Sequence, residues 1–228
     1  MKTSQTLINV LYFSVLILLF SGCSADLDSN YQQSHSQLQK NGIISPIEGI
    51  GETYNHIYQT YQNEYTNTDA STELIIERVE EITLRAGILE EVGESYSNIT
   101  KEIINSLMDR SIPIEGYAMS VLNYEAQSVF IPFLNSLTSL SNQDIHKSIL
   151  DFEDTLTPTT TYNENDVRRM RTVTAIIKSH LENGDDDDWD NQGTTIIKAA
   201  LYGSAENHYK ALIITVITRL KHESYQTN

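Results

Sequence analysis

The sequence predicts an all-α fold, a multi-helix bundle of six to eight helices. Three observations predict it. Beyond residue 45, apolar residues recur every three or four positions, which is the period of one helix face. Residues that start and stop helices punctuate that pattern. One segment, 211–218, is rich enough in β-branched residues to suggest a strand, but the chain offers no second strand to pair with it.

The elements follow in order. Ser45-Pro46-Ile47-Glu48 has an N-cap, a proline at the first helical position and a glutamate three after the cap, which together form a capping box. Ile47, Ile50, Tyr54, Ile57, Tyr61 and Tyr65 then lie along one face. The longest periodic segment is 72–109, with Ile75, Val79, Ile82, Ala86, Leu89 and Tyr96 in register. Gly87 and Gly93 weaken it, so it is either one long helix or a hairpin broken near Gly93. Pro113-Ile114-Glu115-Gly116 repeats Pro46-Ile47-Glu48-Gly49 word for word. The repeat reads either as a duplicated helical hairpin or as two helices started by the same local chemistry.

Pro132 is expected to kink or restart the next helix, since it lacks the N–H that the ladder needs. Further helices are expected over 142–156, 166–182, 195–202 and 205–222, the last of them central and fully buried. Residues 185–193 read as an acidic loop between two of these helices.

Composition narrows the partners. The 228 residues carry a formal net charge of −16. Such a chain repels nucleic acid phosphates and anionic headgroups, so no nucleic acid partner is expected and any membrane contact must have another source. That source stands at the N-terminus. Lys2 is the only charged residue before Asp26, and an apolar run over 7–20 leads to Ser21, Gly22 and Cys23. This is the layout of a secretory signal. As a helix, fourteen residues reach about 21 Å, short of the ~30 Å hydrocarbon core of a bilayer.

Phe20-Ser21-Gly22-Cys23 resembles the lipobox of bacterial lipoproteins, with Phe20 where the usual pattern has leucine. The resemblance covers the signal alone. It implies cleavage before Cys23, a diacylglyceryl group on the Cys23 thiol and acylation of the new amine, and two or three acyl chains make a lasting anchor. Ser24, in place of the aspartate of inner-membrane retention signals, favours the outer membrane. Asp26 and Asp28 resemble the acidic tether of surface-directed lipoproteins. The organisation that follows is a cleaved signal peptide over 1–22, a lipidated polar tether over 23–44 and a single helical domain over 45–228. Cys23 is the one cysteine of the chain, so no intramolecular disulfide can form.

Four groups are candidates for chemistry. Tyr54, Tyr58, Tyr61 and Tyr65 share a helix face; they read as core with hydroxyls at the rim, or else as a stacking surface for a partner. Asp186, Asp188 and Asp190 stand in the acidic stretch around Trp189. They read as a solvated loop, with a weak Ca2+ site as the alternative, because an EF-hand would need a glutamate where Ala199 stands. Arg168, Arg169 and Arg171 form the basic cluster and are expected to pair internally with Asp151, Glu153 or Asp154. The six histidines fall in no zinc or di-iron pattern, and no catalytic residue is assigned.

The functional expectation is therefore a membrane-anchored accessory lipoprotein of the bacterial envelope. It would act without catalysis, by binding an envelope protein or an extracellular ligand, on the periplasmic or the outer side. The alternative is a metal-dependent or hydrolytic envelope enzyme, its site assembled from the acidic loop and distant residues.

Overall fold

The computed structural model describes residues 49–65, 70–88, 98–156, 162–182 and 186–226, all within the unit Ser45–Asn228. The lipobox, the tether, His35 and the capping box at Ser45 lie outside the described residues. The fold is an all-α bundle, with nine helices among the described residues. They are α1 (Ile50–Glu64), α2 (Thr72–Arg85), α3 (Lys101–Met108), α4 (Ile114–Ala118), α5 (Tyr124–Leu137), α6 (Asn142–Thr155), α7 (Glu164–Glu182), α8 (Asp186–Ser204) and α9 (His208–Gln226).

The count exceeds six to eight because two expected helices are divided. The 72–109 segment stops at Ala86-Gly87, where Gly87 takes φ 73°, a left-handed conformation that glycine adopts without strain. The break thus falls at Gly87; Gly93 lies outside the described residues. The segment after Pro113 gives only five helical residues, α4, before a turn and a fresh start at Asn123. The first copy of the Pro-Ile-Glu-Gly motif continues instead into the fifteen residues of α1. The motif is therefore shared, but the helices that follow it are not alike. Local caps set several starts. Ser71, Asn123 and Ser141 accept from the backbone N–H three residues on, at 3.2, 2.8 and 3.3 Å, as N-caps do.

Pro132 neither restarts nor ends its helix: α5 runs through it. Its missing N–H leaves the Ser128 carbonyl without an i+4 donor, and both residues are exposed, so water can serve that carbonyl. The expected acidic loop is also corrected. Helix α8 already begins at Asp186, so the aspartates occupy its opening turns, where the N-terminal dipole favours negative charge. Trp189 fixes this start: it is buried, and its Nε1 donates to the Leu137 carbonyl at the end of α5 over 3.0 Å.

The centre of the bundle is α9, which packs on α1, α2, α3, α7 and α8. Every residue over 210–220 is buried, Lys210, Thr215, Thr218 and Arg219 along with the apolar ones. Its β-branched residues are poor helix formers by themselves, and tertiary packing overrides that preference. Thr215 and Thr218 donate to the carbonyls four residues back at 2.6 and 2.7 Å, so no hydroxyl is stranded. Helices α8 and α9 meet at Gly203, where an added Cβ would overlap the Ala211 main chain. Gly203→Ala replaces a helical glycine, a change that by itself favours the helix by about 1 kcal/mol. Here it is expected to destabilise the fold by about 1–3 kcal/mol, as overpacking does. Urea denaturation measures this, and a variant as stable as the wild type would show that the contact yields.

Candidate functional site

Helices α1, α6 and α7 enclose an open cleft of about 550 Å³. Each helix contributes one face, at helical spacing. Gly51 and Asn55 come from α1, His146, Leu150 and Asp154 from α6, and Arg171, Ala175, Lys178 and Glu182 from α7. Gly51 has a reason to be glycine: a Cβ there would overlap Ser179 Oγ, and its absence lets α1 lie close on α7.

The walls are fixed by their own cations. Lys178 pairs with Glu153 Oε2 at 2.7 Å, joining α7 to α6, and Thr174 donates to the other oxygen of Glu153 at 2.5 Å. Arg171 donates to the Leu156 carbonyl at 2.8 Å, which is the C-cap of α6. Both cationic side chains of the cleft are thus engaged within the fold. The carboxylates Glu52, Asp154 and Glu182, one on each helix, form no hydrogen bond or ion pair among the described residues. Leu150 adds an apolar wall, 45% exposed. Asn55 Oδ1 is shut off from solvent and has no hydrogen-bond partner among the described residues.

The opposite faces of α1 and α7 look inward and meet a polar cluster. The Tyr54 hydroxyl lies 3.2 Å from His180 Nδ1. His180 Nε2 is buried and finds no partner among the described residues. Burial, with the charges of Arg219 and His222, pushes the imidazole down to about 3, so it is neutral at ordinary pH. The Arg219 guanidinium lies 3.7 Å over the Tyr58 ring and donates from Nε to Glu223 Oε1 at 2.8 Å. Burial works against its charge, but Tyr54, Tyr58 and Glu223 offset this and hold it above the usual range. Tyr58 donates to Glu223 Oε1 at 2.9 Å; burial and the Glu223 charge push its phenol up, and burial does the same to Tyr54.

The tyrosine stripe accordingly divides by depth. Tyr54 and Tyr61 are buried, while Tyr58 and Tyr65 are partly buried with their tips tied to Glu223 and Glu81. The four do not form one open stacking surface. The arginine cluster is corrected in its partners. Arg169 donates to the Val121 and Ala205 carbonyls and Arg171 to that of Leu156, rather than to Asp151, Glu153 or Asp154. Arg168 reaches Asn165 in its own helix. The side chains of Asp186, Asp188 and Asp190 lie outside what is described. Among the described residues no group of three His, Cys, Asp or Glu side chains converges to hold a metal ion.

Sequence reasoning missed the cleft, because its carboxylates stand at 52, 154 and 182 and only the fold brings them together. It also missed the buried cations Lys198, Lys210 and Arg219. One signal for Arg219 was present: a single arginine closing an apolar run, with Glu223 four residues on.

The neutral His180 sets a pH dependence. Its folded value lies below the unfolded value of about 6.5. Below that pH the unfolded chain takes up a proton that the folded chain refuses. Stability therefore falls as pH drops from about 6.5 toward the folded value, by about 1.4 kcal/mol per unit. Between pH 6.5 and 5 the wild type is expected to lose roughly 2 kcal/mol more than His180→Gln, measured by urea denaturation at both pH values. Parallel losses would show that His180 protonates freely in the fold.

Compared with protein-family models, with curated proteins and with solved structures, the chain gives no match.

Proposed function

We propose that this chain is a lipid-anchored accessory protein of the bacterial envelope that works by binding rather than by catalysis. Anchoring rests on Cys23 within Phe20-Ser21-Gly22-Cys23, and Ser24 favours the outer membrane. No helix of the described residues is long and apolar enough to cross a membrane, so the lipid is the attachment this reading calls for.

The observation that carries the binding role is the cleft between α1, α6 and α7. It lies within the volume range of ligand sites. Its walls are helices held by internal ion pairs, and its exposed carboxylates and apolar wall are available to a ligand. The strongly perturbed groups, His180 and Arg219, are sealed behind it, where they hold helices together and meet no substrate. The occupant is an envelope protein or an extracellular ligand.

Two measurements test this. Cys23→Ala is expected to move the protein from the detergent phase to the aqueous phase on phase partition; a variant that stays with detergent overturns the anchor. Leu150→Arg places a cation on the exposed apolar wall at little cost to the core. What travels with the full chain from detergent-solubilised envelopes is expected to be lost with Leu150→Arg. Identical sets from the two proteins would remove the cleft from the binding role.

A further inference from the structure

His180 of α7 is sealed by side chains from three other helices and is 1% exposed. From α1, the Tyr54 hydroxyl reaches its Nδ1 at 3.2 Å. From α8, the Trp189 ring lies 6.2 Å away, with its N–H already donated to the Leu137 carbonyl. From α9, the charges that act on it are those of Arg219 and His222, both basic. Glu223, the carboxylate of that face, is engaged by Arg219, Tyr58 and Gln62. On α7 itself, Lys178 and Glu182 line the cleft. An imidazolium has two N–H donors. At Nδ1 the phenol oxygen could accept one, but Nε2 is shut from solvent with no partner among the described residues. A second proton would thus leave a buried donor unmet and add a like charge beside Arg219, and both cost free energy. Burial, with the two basic neighbours, holds the imidazole down at about 3.

We propose that His180 is an acid-sensitive latch on α1: it takes up a proton only when α1 lifts from α7. Helix α1 is the element that can yield. Helices α7, α8 and α9 follow one another in the chain, and Gly203 seats α8 directly on the α9 main chain. Helix α1 has no side-chain cap at Gly49, and its polar ties to that layer run through Tyr54, Tyr58 and Gln62 to His180, Arg219 and Glu223. Lifting α1 hydrates His180, and the open form then binds a proton near the ordinary value of about 6.5 that the closed form refuses. Opening therefore becomes easier as pH falls below about 6.5, and linkage makes it about 25-fold more favourable at pH 5 than at pH 7. Gly51 and Asn55 of α1 and Ser179 of α7 stand in the cleft wall, so the same motion takes the cleft apart. The latch itself needs no ligand. Its consequence for one, retention near neutral pH and release in acid, rests on the reading of the cleft as a binding site.

The test is hydrogen exchange of the full chain in non-ionic detergent at pH 7 and pH 5, resolved by peptide and corrected for intrinsic rates. At pH 7, α1 is expected to be less protected than α9, the mark of an opening short of global unfolding. Between pH 7 and pH 5 the protection of α1 is expected to fall about 25-fold in the wild type and less than about threefold in His180→Gln. Protection of α1 equal to that of α9 would mean that α1 opens only with the whole domain, and would overturn the latch. Protection of α1 that does not change with pH, or that falls equally in His180→Gln, would overturn it as well. The comparison of α1 with α9 and the fall with pH are both read in the wild type, so they decide the matter even where His180→Gln does not fold. Leu150→Arg tests the binding role of the cleft from α6, away from the contact of Tyr54 with His180, so that reading and the latch can fail separately.

Discussion

The structure depends on burying α9 on every side. A helix in that position can present nothing that needs water, yet α9 carries Lys210 and Arg219, each about 1% exposed. An unpaired charge there would cost several kcal/mol. Each cation has a carboxylate one turn away, Glu206 for Lys210 and Glu223 for Arg219. Arg219 also needs a cover, which α1 provides with the Tyr58 ring. The placement of α1 thus follows from the chemistry of α9. Tyr54 and Tyr58 are where they are because a guanidinium has to be sealed, and the same registration turns Gly51 and Asn55 outward to the cleft.

Several other cations meet main-chain carbonyls near helix ends. Lys198 is fully buried and donates to the Asp109 and Ile112 carbonyls at 2.7 and 3.4 Å, just beyond α3. Burial pulls its ammonium down, with Asp109 opposing. Arg171 serves the end of α6, and Arg169 the turns after α4 and α8. The last carbonyls of a helix lack intrahelical donors and carry partial negative charge, so a cation there satisfies both needs at once. One consequence is electrostatic. Basic side chains engaged on carbonyls do not neutralise carboxylates, and the acidic groups at the surface, those of the cleft among them, keep their field.

How much of this could be read from the sequence depends on the range of the interaction concerned. The helical period is a local property, so the all-α bundle and the buried character of 211–218 were legible. Helix ends were less so. Nothing in Ala86-Gly87 singles it out above Gly93 until the chain's packing requires φ 73° at that point. Pro132 predicts a kink or a restart; α5 does not restart there, because the one lost bond falls on an exposed side of the helix. The aspartates at 185–190 looked like a loop because a charge run suggests solvation. The placement of Asp186, Asp187, Asp188 and Asp190 in the opening turns of α8 follows from Trp189, whose ring is held from the far end of α5, a contact across 52 residues that no local pattern records. The cleft was illegible for the same reason, since each of its carboxylates alone is an ordinary exposed residue on a helix.

The two sides of α1 and α7 therefore do different work on one rigid frame. Toward the centre they carry Tyr54 and His180, buried and in contact at 3.2 Å. Toward solvent, one residue away along each helix, they carry Asn55 and Ser179 in the cleft wall. Helix α6 completes that wall but packs chiefly on α7, tied there by Lys178 and Glu153. A ligand seated in the cleft would touch α6 and α1 together, a link the main helix contacts do not provide. Any free energy gained from such a link stabilises the folded domain by mass action. It would act at α6 without disturbing the sealed cluster on which α9 depends.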